Sequence, residues 1–127
     1  MEQECLTILL RGSQPIIVCP ARSLQGMRVP AEYNQPLDQG RLLLLSAFDE
    51  KVDRVTLETA SFRNRFVAAM ADAIFVAHAE PNGKTELFCR EVLGWKKPLH
   101  TLKDAANTNR IELGAKGIDE ENNPPLF

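Results

Sequence analysis

Apolar residues fall along this chain in two alternating patterns. Residues 2–11 carry Cys5, Leu6, Leu9 and Leu10 at i, i+1, i+4 and i+5, which predicts a helix stopped at Gly12. Residues 15–19 (PIIVC) form a short continuous apolar run rich in β-branched side chains. Such a run fits a strand covered on both faces, as in parallel sheets. Residues 41–46 (RLLLLS) and 73–77 (AIFVA) repeat the pattern. Residues 98–102 (PLHTL) give a weaker fourth strand, expected near an edge, with Pro98 at its start where no ladder donor is missed. Between these runs the period changes to helical. Residues 57–71 place Phe62, Phe66 and Met70 on one stripe with Val67 beside it, and Thr56 is the expected N-cap. Residues 84–95 place Leu87, Phe88, Val92 and Trp95 at helical spacing, which assigns Trp95 to the core. Pro30, Pro36, Gly26 and Gly40 break residues 23–40 into a loop and one short helix around 31–35. Residues 103–114 offer one or two helical turns. The acidic, Pro-rich stretch 119–127 reads as a flexible tail. No internal repeat shows in the sequence.

Strands alternating with helices through short connections predict an α/β fold: a Rossmann-like three-layer sandwich on a mainly parallel sheet of about four strands. It fills a single domain over residues 1–118. At 127 residues the chain holds one domain by length, and burying roughly two-thirds of its unfolded surface needs no disulfide staples. Its 15 basic and 17 acidic residues leave a net charge of −2, which argues against coating DNA or membrane by bulk charge and makes any anion site local. No apolar run approaches the roughly 20 residues of a membrane span, and Glu2 and Glu4 are wrong flanks for a secretory signal. Cys5, Cys19 and Cys89 show neither a CxxC nor a Cys/His cluster. Free thiols in a reducing cytoplasm are the economical reading, with no metal and no cofactor.

Ligands of parallel α/β folds bind beyond the carboxyl ends of the strands. That rule directs attention to residues 19–23, 46–49, 78–84 and 102–104. The richest of these is HAEPNGKTE at residues 78–86, a turn holding Asn82 and Gly83 before Lys84 and Thr85 open a helix. Helix starts present unpaired N–H groups and a positive dipole end to phosphate. The alternative is a tight turn capped by Thr85. Gly83-Lys84-Thr85 imitates the end of a P-loop, but His78 stands where that loop needs glycine, which excludes an ATPase of that type. Arg63-Asn64-Arg65 is the second feature. Neighbours on a helix diverge by ~100°, so the three cannot all face one ligand, and solvated arginines are the alternative. Yet arginine grips phosphate bidentately. Arg22 lies just past a strand end, as do Ser46 and Asp49. Ser46 either binds a ligand or simply ends its strand. His78 and His100 lack partners at metal or triad spacing. Glu80 and Glu86 are the acids beside the turn, available to a ribose or as a base.

Taken in order, Leu44-Leu45-Ser46, the segment RNRFVAAMADA, a strand, the turn Pro81–Thr85 and a Lys-Pro strand resemble the DNA processing protein A (DprA/Smf) family. The resemblance runs from about residue 4 to 102. It implies a Rossmann-like core and a surface that binds a nucleotide or single-stranded DNA, and the expectation is a binding module without catalysis that holds the phosphate at the Gly83–Thr85 helix start with Arg63 and Arg65 nearby. Arg63, Asn64 and Arg65 match the family's RNR, and Gly83 and Thr85 match its glycine-rich turn, while Asn82 and Lys84 replace small residues there. More distantly the turn is similar to the LOG-type phosphoribohydrolases. Pro81, Gly83, Thr85 and Glu86 echo their signature without its glycine pair, which leaves hydrolysis of a nucleotide N-glycosidic bond as the lesser alternative. A further alternative is a structural or interaction protein with a decayed site. Family cores begin with a strand and a Gly-Ser-Arg turn that this sequence does not show. The exposed sheet edge this implies leads to an expectation of homo-oligomers.

Overall fold

The computed structural model describes residues 2–77, 83–102 and 114–118. The chain gathers into two compact units, Glu2–Val67 and Ala68 onward, and the order of elements in both is α/β.

The first unit opens with α1 (Glu2–Arg11), β1 (Ile16–Val18), a 3-10 turn at Ala31–Tyr33 running into α2 (Asn34–Asp38), and β2 (Leu42–Leu44). β1 and β2 pair in parallel with Ile16 opposite Leu42, Ile17 opposite Leu43 and Val18 opposite Leu44. Ile16, Tyr33 and Leu42 form the buried cluster, and Leu6, Leu9 and Leu10 of α1 pack on it. The helical spacing of those leucines therefore marks the face that α1 buries. Alternation within the strands leaves the other face open: Ile17 is 59% and Leu43 54% exposed. The expectation of strands covered on both faces is thus corrected to one covered face. The helix ends without a left-handed glycine. Gly12 donates to Leu9 O, and the Gln14 amide folds back onto the same carbonyl at 2.9 Å. A Cβ on Gly12 would meet that amide, so any larger residue there would have to displace the Gln14 side chain from the carbonyl. Arg41, just ahead of β2, finishes the cap by donating to Leu9 O and Gln14 O from Nη1 and to Leu10 O from Nη2.

α3 (Leu57–Met70) begins in the first unit and ends in the second. Thr56 caps it as expected: its Oγ1 accepts from Thr59 N at 3.1 Å while Thr59 Oγ1 accepts from Thr56 N at 2.8 Å. This reciprocal arrangement satisfies N–H groups that the first helical turn leaves bare. The predicted apolar stripe is corrected in part, since Phe62 and Met70 are exposed and Ala68 is the buried residue of the helix.

The second unit continues with β3 (Ile74–Phe75), α4 (Lys84–Gly94), β4 (Leu99–Leu102) and β5 (Lys116–Ile118). All pairings are again parallel, in the order β3-β4-β5. Three expectations change here. Among the described residues, the expected sheet of about four strands is two sheets, of two and three strands. β3 is only two residues long, and the N–H groups of Ile74 and Val76 both go to the β4 side, at Pro98 O and His100 O. β4 is central rather than an edge strand, with Leu99 and Thr101 fully buried, because β5 adds outside it. The core consists of Cys89, Leu99 and Ala115, with Ile74, Val76 and Leu93 against it. α4 buries Glu86, Cys89 and Val92, whereas Leu87 and Trp95 are exposed, so Trp95 is not core. Lys97 donates to Ala68 O and Ala69 O at 2.7 Å and to Ala71 O at 2.9 Å, closing the end of α3. The expected turns at 103–113 and the tail at 119–127 lie outside the described residues.

Candidate functional site

The site that takes shape lies in the first unit, at the carboxyl ends of β1 and β2. Past β1, residues 19–23 are held from several sides. Arg63 reaches from α3 and donates through Nη1 to Cys19 O at 3.0 Å. Ser46, just past β2, donates its hydroxyl to Arg22 O at 2.6 Å and accepts from Phe48 N at 3.1 Å. Ser23 N donates to Val52 O at 2.7 Å, and Ser23 Oγ accepts from Gln25 N. Phe48 rests on Phe62 of α3 with ring centroids 5.5 Å apart, so the β2 loop also has an apolar seat on that helix. Ala21 and Ser23 are buried on either side of Arg22.

Two guanidinium groups are held in this network. Arg22 donates through Nε to Ser23 O and through Nη2 to Gln25 O, which leaves Nη1. Arg63 donates through Nε to Asn64 Oδ1 at 2.9 Å and through Nη1 to Cys19 O, which leaves Nη2. Arg22 and Arg63 are half-buried, an environment in which a charge–phosphate contact is screened less than on an open surface. Burial pushes the Cys19 thiol above its ordinary value, and the positive charge of Arg63 pulls it partly back. Arg65 lies exposed on the same helix.

Arg22, Ser46, Arg63 and Asn64 are therefore brought into one hydrogen-bonded neighbourhood. The residues of the turn belong to the second unit. Gly83 is the N-cap of α4 and brings no side chain of its own to cap it, and Thr85 sits inside the first turn, so the reading of Thr85 as cap is corrected. Lys84 and Thr85 are exposed. Asn82, like His78 and Glu80, lies outside the described residues. Glu86 is buried in the first turn of α4, where a helix start favours negative charge, and accepts from Arg90 Nη2 at 3.4 Å. His100 lies within β4, opposite Phe75 and Lys116. Among the described residues no cluster of three metal-ligating side chains occurs, and no helix is long and apolar enough to cross a membrane.

The sequence reading missed the acceptors that orient the arginines, Cys19 O, Ser23 O and Gln25 O. Main-chain atoms leave no mark on residue identity, so no signal could have found them. No protein-family model, curated protein or solved structure matches this chain.

Proposed function

We propose that this chain is a binding module of the DNA processing protein A type, holding the phosphate of a nucleotide or of single-stranded DNA at the carboxyl edge of β1 and β2. The observation that carries the reading is the convergence of Arg22 and Arg63 on one clamped segment, each with a terminal nitrogen left over, at the edge where α/β folds take their ligands. The start of α4 at Gly83–Thr85, where the backbone lacks a side chain at the N-cap and Lys84 adds a positive charge, is a second place for an anion, beside the buried Glu86. The chain has few aromatic residues for bases to stack on, which favours a small nucleotide over a long strand. The reading includes self-association through an open sheet edge, checked by sedimentation, where a strictly monomeric profile counts against it.

The direct test is a thermal-shift screen against nucleotides and a short oligo-dT, followed by titration at two salt concentrations. Binding that weakens with salt, and weakens further in Arg63→Ala and Lys84→Ala, is the expected result. No response from any nucleotide or oligonucleotide overturns the proposal. It would favour a structural or interaction protein, a reading supported by the commitment of both arginines to main-chain carbonyls.

A further inference from the structure

We infer that Ser46 is a positioning residue: its hydroxyl sets the Arg22 guanidinium for an anion and does not itself touch the ligand. The inference rests on the reading of this edge as a phosphate site. A serine hydroxyl has a single hydrogen to donate. That of Ser46 goes to Arg22 O at 2.6 Å, the shortest of the contacts that tie residues 19–23, while its oxygen accepts from Phe48 N. With its proton committed, the hydroxyl has none to offer a phosphate oxygen. What it does instead is fix the main chain of residue 22 from the β2 side.

The rest of the segment leaves residue 22 little other freedom. Its neighbours Ala21 and Ser23 are buried, and Ser23 N is tied to Val52 O. The guanidinium then turns forward along its own loop, onto Ser23 O and Gln25 O, which fixes the plane of the group and directs Nη1 away from those carbonyls. Losing the Ser46 contact leaves a polar carbonyl without its partner and loosens the loop from which Arg22 springs. Threonine keeps the hydroxyl; alanine does not.

The experiment compares Ser46→Ala, Ser46→Thr, Arg22→Ala and the double variant Ser46→Ala/Arg22→Ala, with fluorescein-labelled oligo-dT followed by anisotropy and ADP by thermal shift. Ser46→Ala should weaken binding by about fivefold, the worth of one ordinary hydrogen bond in an equilibrium, and Ser46→Thr should recover most of it. In the Arg22→Ala background, Ser46→Ala should change nothing further. Additive losses in the double variant would show that Ser46 meets the ligand itself and would overturn the inference. A second readout needs no ligand: nitrogen relaxation at Arg22 Nε should report an ordered group in the parent and in Ser46→Thr, and a mobile one in Ser46→Ala. Unchanged order in Ser46→Ala overturns the inference whatever binds. If the parent protein binds neither probe, the site reading falls, and the relaxation result still decides whether Ser46 positions Arg22.

Discussion

Replacing Lys97 by methionine keeps the apolar stem and removes only the ammonium that closes α3. The last carbonyls of a helix have no partner within it. At the end of α3, Lys97 Nζ serves Ala68 O, Ala69 O and, just beyond, Ala71 O. The loss is uneven among them. Ala69 is exposed, so water can replace the lysine there. Ala68 is 2% exposed, and its carbonyl would be left bare at about 1–3 kcal/mol. Removing a cation from a helix C-terminus adds about 0.3–1 kcal/mol. The sum is about 1.3–4 kcal/mol, or roughly 5–15 °C in Tm for a protein of this size. Trp95, the sole tryptophan, lies two residues away and reports the transition by fluorescence. Lys97→Arg should recover part of the loss, because a guanidinium also donates to carbonyls. A melting temperature in Lys97→Met within about 2 °C of the parent would refute the reasoning, since a shift that small is well under 1 kcal/mol.

Two further outcomes follow from local chemistry. Thr56→Ala removes one half of the reciprocal cap with Thr59 and should lower stability by about 1 kcal/mol, measured by urea denaturation with an unchanged m-value. Alkaline pH should destabilise the fold. Burial raises Cys19 from its ordinary 9.0 and, with help from Glu32, raises Tyr33 from 10.0. Groups whose folded values are raised contribute fully below their unfolded values and lose that contribution as pH climbs through the folded ones. Stability should therefore hold up to about pH 9 and fall above it, with a shallower fall in Cys19→Ser; an unchanged slope in that variant would remove Cys19 from the account.

How far the sequence revealed these features depended on how local each signal was. Leu6, Leu9 and Leu10 announced α1 and its buried face because a helix repeats its contacts within a few residues. Thr56 announced a cap because its partner, Thr59, is three residues away. The four strands were legible as apolar runs, but their grouping into two sheets was not, since pairing depends on how much of β3 has backbone to offer. β4 looked peripheral because His100 and Thr101 are polar, yet Thr101 is fully buried and β5 pairs along the strand's outer side. β5 itself, KGI, has no apolar pattern to reveal it. At the site, position past a strand end singled out Arg22 and Ser46, and Arg63-Asn64 stood out by residue type. Their contacts did not, because Ser46 reaches Arg22 across 24 residues and Arg63 reaches Cys19 across 44.

Arg41 and Lys97 share more than a task. Each follows a helix, a strand and a second helix, and each stands just before a strand that pairs in parallel with the first. From that place each grips the carbonyl end of the earlier helix, α1 in one case and α3 in the other. The chain is thus written twice in one architectural grammar, with α3 as the word on which the second sentence begins. Nothing in the residue identities repeats, since one copy uses arginine and the other lysine. The recurring element is a location, a cation at the doorstep of the returning strand. Each of these two cations couples the end of one helix to the start of a returning strand, so a substitution at either place is felt by two elements at once.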